Sequence, residues 1–139
     1  MSSISMTQDE CMSKLAAGSV GRIAVTSRAL PAIIPVNFAL SGRTIVFRTE
    51  PEGMLAKATE DSVVAFEVDD VAVDGRSGWS VLAVGVARHI TDGSELVRAL
   101  ETRLSSAVGP GRNQFVAITI GQLTGRAVQA APDTLVAGV

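Results

Sequence analysis

The sequence predicts a mainly β protein: about six antiparallel strands, with three helices inserted between them, closed into a barrel. Three observations carry that reading. Apolar residues recur at every second position in run after run, the period of a half-buried strand. The connections are hairpins and short insertions with few helical crossovers, which implies antiparallel pairing. Glycines interrupt the longest runs, as the bends of a closed sheet require.

Each element has its own signal. Thr7-Gln8-Asp9-Glu10 is a capping box, with Thr7 as N-cap and Glu10 reaching back, that opens a helix through Met12, Leu15 and Ala16 and stops at Gly18. Val20 to Thr26 is a β-branched run, followed by a turn from Arg28 to Pro31. From Ala32 to Leu40, Ile34, Val36, Phe38 and Leu40 share one face, and Ile33, Pro35, Asn37 and Ala39 the other. Ser41-Gly42 reads as a hairpin turn into the strand Thr44 to Thr49. Pro51 suits the first turn of a short helix that ends near Asp61.

Ser62 to Asp69 is a strand with Val64, Phe66 and Val68 on one side. A polar loop around Gly75 leads into the longest strand, Gly78 to Ile90, whose two apolar faces predict burial on both sides, with a bulge or bend at Gly85. Asp92 to Glu95 starts a helix with Leu96, Leu100 and Leu104 as its stripe, ended by Gly109-Pro110-Gly111. Phe115 to Ile120 is the last long strand, broken at Gly121 and continued from Gly125 to Gln129. The reading is one domain over residues 1–139, with a core of about 7–129 and a tail, 130–139, of little pattern.

Composition narrows the function classes. A chain with 47% hydrophobic and 19% charged residues can bury a core. Its net charge of −2 disfavours a nucleic-acid surface. The longest apolar run is too short to span a bilayer, and the first residues lack a signal-peptide pattern. Cys11 is the only cysteine, which excludes an internal disulfide and a thiolate cluster, and the expected compartment is cytoplasmic.

Few side chains are candidates for chemistry. His89 is the sole histidine and reads as a strand-end surface residue. Cys11, between apolar neighbours, reads as a small half-buried core residue. Glu67, Asp69 and Asp70 cluster at a strand end, where carboxylates can bind a hard cation, but Glu67 and Asp69 alternate against Val64, Phe66 and Val68, so a solvated strand face is the better reading, with Glu67 able to pair with an arginine. Trp79 has two readings: a cap on a barrel end, or a wall for a planar ligand or a dimer contact. Arg48 and Thr49 end a strand just before the Pro51 segment. They are either parts of a phosphate pocket or an ordinary strand-end Arg and a helix-start Thr.

Six phrases in order resemble one family: Val20-Gly21-Arg22-Ile23-Ala24-Val25, Ile34-Pro35-Val36-Asn37-Phe38, Val46-Phe47-Arg48-Thr49, Val64-Ala65-Phe66-Glu67-Val68-Asp69, Gly78-Trp79-Ser80-Val81 and Thr124-Gly125-Arg126. Together they resemble the pyridoxamine 5′-phosphate oxidase-like, flavin-binding split-barrel family, in the branch of nitroimidazole-resistance reductases. The resemblance implies a six-stranded antiparallel split β-barrel and a homodimer with flavin in clefts between subunits. It places Pro35, Val36 and Asn37 along the flavin ring, Arg48 and Thr49 at the ribityl phosphate, and Trp79 and Ser80 in the same cleft or on the partner surface. The implied activity is a flavin-dependent oxidoreductase, with no catalytic side chain and no metal, because the hydride chemistry belongs to the cofactor.

The chain departs from the family pattern at Met54, where the branch carries a phosphate-binding lysine. Lys57, one helical turn on, is the cation that can reach back. The resemblance implies FMN, with the deazaflavin F420 as the alternative cofactor. A second reading is a non-catalytic split-barrel dimer that binds flavin weakly or not at all and acts by ligand sequestration or protein contacts. A haem-binding relative is disfavoured because His89 is the only possible histidine ligand.

Overall fold

Strand alternation decides which side chains enter the barrel and which stay outside. In the computed structural model, residues 2–102, 104 and 114–129 are described. The elements are β1 (Ser2–Ser5), α1 (Gln8–Ala17), β2 (Val20–Ser27), β3 (Leu30–Ser41), β4 (Thr44–Thr49), α2 (Met54–Ala58), β5 (Ser62–Val71), β6 (Gly78–His89), α3 (Gly93–Leu100) and β7 (Gln114–Gln129). The strand order is β1-β7-β4-β3-β2-β5-β6, and β6 also pairs with β7. That last pairing closes six strands into an antiparallel split β-barrel, with β1 added outside the ring.

The barrel interior holds Ile23, Phe38, Ile45, Phe47, Phe66 and Ile118, all fully buried. Phe38 and Phe66 meet edge to face at 4.9 Å. α1 contributes Cys11 and Leu15 to this core, and α2 contributes Leu55 and Ala58. A second apolar cluster lies on the other face of β4 and β7, where Val46, Phe115 and Ala117 meet Ala99 of α3 and Leu104. The capping box of α1 is formed: Glu10 N–H donates to Thr7 Oγ1 at 3.1 Å, and Thr7 N–H to Glu10 Oε1 at 2.9 Å.

Several sequence expectations need correction. β1 is a strand that its polar sequence does not announce, because its pairing with β7 supplies what its side chains lack. The hairpin turn between β3 and β4 is Gly42-Arg43, since Ser41 already pairs with Thr44. Pro51 does not begin a helix. Gly53 N–H donates to the Glu50 carbonyl at 3.2 Å, which makes Pro51 and Glu52 the centre of a turn. Glu52 sits there at φ 64°, and α2 starts only at Met54.

In α3, Leu100 is 46% exposed, and Leu96 and Ala99 face the core instead. Gly109-Pro110-Gly111 lies outside the described residues, as does the tail from Ala130. β7 does not break at Gly121. It continues through a bulge that lies opposite Val84 and Gly85. β6 is buried on one face only, with Leu82 and Val86 pointing outward. Cys11 is fully buried rather than half-buried, and burial raises its thiol pKa.

The outer face is apolar where it ought to be wet. Ile33, Ala24, Ala65 and Val84 line up in register across β3, β2, β5 and β6. Ile33 and Val63 are each 71% exposed on this side. Beside that row, Arg22 Nη1 reaches Glu67 at 3.7 Å and Asp69 at 3.4 Å. The longer contact is an ion pair and no hydrogen bond, and Glu67 Oε1 is a buried atom without a hydrogen-bond partner. Burial first, then the hydrogen bond and charge of Asp69, push the Glu67 carboxyl up to about 7, against the opposing charge of Arg22. Glu67 thus pairs with an arginine, Arg22, and its side chain stays one-third exposed.

Its usual carboxyl pKa is 4.5, so the folded state holds an extra proton between there and about 7. The associated stability is full below 4.5 and is lost as pH rises through 7. Glu67→Gln should raise stability at pH 8 by on the order of 1 kcal/mol, a value reduced for partial solvent screening. Calorimetry at pH 8 and at pH 4 to 5 checks this: a gain confined to the higher pH is expected, and an equal gain at both contradicts it.

Candidate functional site

The barrel is split between β3 and β4. These strands pair only from Phe38↔Phe47 to Ser41↔Thr44. Beyond Phe38, the first part of β3 stays with β2, while β4 departs toward α2. One edge of residues 30–37 is thus left without a strand partner among the described residues. An unpaired strand edge presents backbone donors and acceptors to whatever lies beside it.

A cavity of about 440 Å³ fills this gap. Its walls include Pro35, Val36 and Asn37 from β3, Arg48 and Thr49 from the end of β4, and Met54 from α2. Its size lies within the range of small-molecule sites. Arg48 is held with its guanidinium carbon 4.8 Å from the Phe115 ring centre, a cation–π contact that fixes the cation at one end. The other titratable lining group is Glu50. The arrangement offers an apolar strand wall, open backbone groups and a cation with a hydroxyl at one end. Those parts fit a planar ligand that carries an anionic tail.

α2 is held firmly for so short a helix. Leu55 and Ala58 are buried, Thr59 Oγ1 donates to the Leu55 carbonyl at 2.7 Å, and His89 Nε2 lies 2.7 Å from the Ala56 carbonyl. A carbonyl only accepts, so His89 carries its proton on Nε2. His89 is therefore half-buried and ties β6 to α2; it is not the surface residue its sequence position suggests. At five residues, α2 is too short for its N-terminus alone to make an anion site; the cation and hydroxyl that end β4 at this cavity are Arg48 and Thr49.

The structure brings together five of the eight residues singled out in the sequence: Pro35, Val36, Asn37, Arg48 and Thr49. Lys57 lies elsewhere, in a neighbouring cavity of about 530 Å³ with Thr26, Ser27, Arg28, Met54 and Ala58. Met54 is 45% exposed and forms the wall shared by both cavities. Trp79 lies beneath Lys14, whose Nζ is 4.7 Å from the ring centre, and Ser80 lines a groove with Thr124 and Arg126. Neither borders the Arg48 cavity of its own chain.

Sequence reasoning missed Arg28. It and Ala29 form the β2–β3 turn at φ 52° and 64°. Asparagine and glycine are the usual residues there. Left-handed backbone costs other residues roughly 1–2 kcal/mol each. Arg-Ala at a two-residue turn was the available signal.

A split barrel with a cleft between β3 and the β4–α2 junction defines the class. A family model described as pyridoxamine 5′-phosphate oxidase matches residues 7–127, and the chain belongs to that family. It is 35% identical over 100 residues to an uncharacterized protein of Mycobacterium tuberculosis, a match covering 68% of this chain and 66% of that one. Among solved structures, it resembles an FAD-binding protein from Mycobacterium smegmatis with a TM-score of 0.77 and 33% identity. That match covers 90% of this chain and 97% of the other. An FAD-binding protein from Mesorhizobium loti matches with a TM-score of 0.76 and 25% identity over 93% of this chain and 100% of that one. No helix among the described residues is long and apolar enough to cross a membrane.

Proposed function

We propose that this chain is a flavin-dependent oxidoreductase that binds its cofactor in the split between β3 and the β4–α2 junction. The observation that carries this is the single cavity that unites Pro35, Val36 and Asn37 with Arg48 and Thr49. Pro35, Val36 and Asn37 bind the ring along the open strand edge, and Arg48 and Thr49 bind the phosphate. FMN is the mononucleotide the cavity suits, with F420 as the alternative. The two FAD-binding relatives support a flavin in general. The cofactor supplies hydride or electron transfer when bound; the chain's own residues bind it, orient it and exclude water.

In this reading the working unit is a homodimer. The exposed row around Ile33 and Val63 supports it, because so continuous an apolar sheet face is costly to leave in water. Pro35 and Asn37 border both this face and the cavity, so a second copy seated there would complete the cleft. Trp79 and Ser80 then enter the cleft from the second copy.

Met54 favours one competing reading, a split-barrel dimer with little flavin affinity, because a thioether cannot neutralise a phosphate. Thermal-shift titration with FMN and F420 in parallel separates the two. A saturable rise in melting temperature with either flavin supports the oxidoreductase reading. No shift with either supports the non-catalytic dimer.

A further inference from the structure

The wall that α2 gives the Arg48 cavity is not one its own sequence would hold. The helix has five residues and no side-chain cap at Gly53, well short of the length at which a helix persists alone. Left-handed residues other than glycine flank it, Glu52 at φ 64° and Asp61 at φ 49°. Such backbone persists only where its surroundings impose it. Part of that constraint is apolar, since Leu55, Ala56 and Ala58 are buried. The rest is polar. A helix end leaves its last carbonyls without intrahelical donors. Here the Leu55 carbonyl takes both the N–H and the hydroxyl of Thr59, and Glu60 N–H donates to Lys57. The Ala56 carbonyl has a 3.2 Å contact with the same Thr59 hydroxyl and a 2.7 Å contact with His89 Nε2, from 33 residues away.

The donor is itself fixed. Its neighbour Arg88 makes two hydrogen bonds of 2.6 Å to Glu95 of α3. On its other side, Ile90 N–H donates to the Phe115 carbonyl at 3.0 Å, and the Phe115 ring carries Arg48. The end of β6 thus grips both sides of the cavity: α2 through His89, and the seat of Arg48 through Ile90.

We infer that His89 is a positioning residue for the ligand cavity: its Nε2–H holds the Ala56 carbonyl and so keeps Gly53, Met54 and Leu55 in place as the wall beside Arg48 and Thr49. His89 does not itself line the cavity. A wall held in advance needs no ordering when the ligand arrives, a cost otherwise taken from affinity. The identity of the ligand rests on the flavin reading above; the latch between His89 and α2 does not.

The test compares three variants. His89→Gln brings an amide nitrogen to the place of Nε2, His89→Asn is too short to do so, and His89→Leu fills similar volume without a donor. If one of the last two fails to fold, the other carries the comparison. Amide hydrogen exchange of the unliganded proteins reads the latch, and FMN titration reads the cavity. Exchange over residues 54–60 should quicken at least about tenfold with Asn and Leu, with α1 and β2 unchanged, and stay within about twofold of the parent with Gln. FMN affinity should fall at least about fivefold with Asn and Leu and return with Gln. Unchanged exchange at 54–60, exchange that quickens alike over the whole barrel, or a Gln variant that behaves like Asn would overturn the inference. So would Asn and Leu variants that bind FMN as tightly as the parent. If the parent binds no flavin while the exchange pattern holds, the latch stands and the flavin reading falls.

Discussion

Met54→Lys is expected to tighten FMN binding roughly ten- to a hundredfold. Met54 is the first residue of α2 and borders the cavity that holds Arg48 and Thr49. Its side chain is 45% exposed, so a lysine there meets no core packing and its stem can lie along the helix. A charge-assisted hydrogen bond to phosphate contributes about 1.5–3 kcal/mol, the range from which the expected gain comes. Riboflavin, which lacks the phosphate, serves as the control. The gain should appear for FMN and not for riboflavin. An unchanged FMN affinity, or an equal gain for both, would show that α2 does not approach the phosphate.

The largest stability effect is expected at Gly85. A Cβ built there would lie 1.9 Å from the Thr119 carbonyl oxygen and 2.9 Å from its carbon. Both are backbone atoms of β7, facing the bulge at Gly121 where the barrel closes. No rotamer change relieves such a clash, so the β6–β7 seam itself must open. Gly85→Ala should cost about 3 kcal/mol or more, lowering the melting temperature by roughly 10 °C. Gly93 has nothing within 4 Å of its Cβ position, so Gly93→Ala is the matched control and should stay within about 0.5 kcal/mol. Equal melting temperatures for the two variants would contradict the seam.

Much of the fold was legible because its strands are half-buried. Val64, Phe66 and Val68 alternate in sequence and all face the core. The Thr7–Glu10 capping box was readable because it is a local hydrogen-bond pattern with fixed spacing. Errors arose where one residue suits two local structures. Pro51 fits both a helix start and the second position of a turn, and only the Glu50–Gly53 hydrogen bond decides between them. Leu82 and Val86 looked like a second buried face because apolar residues read the same whether a core or a partner is to cover them.

The candidate site was legible in two pieces and not as a whole. Pro35–Asn37 and Arg48–Thr49 are brought together by the parting of β3 from β4, which is a property of the closed sheet. Lys57 follows Met54 at helical spacing, but the short α2 carries it to the β2–β3 turn beside Arg28. Trp79 and Ser80 follow the family phrase yet lie at other grooves of the same chain. The proposed place for them in the cleft requires a second copy, which no single sequence displays.

The most direct test of the central claim is a fluorescence titration of FMN with the parent chain and with Arg48→Gln. Saturable quenching by the parent and at least roughly tenfold weaker binding by the variant are expected if the phosphate sits at the end of the cavity that Arg48 lines. An Arg48→Gln protein that binds FMN as tightly as the parent, or a parent that does not bind FMN, would contradict it.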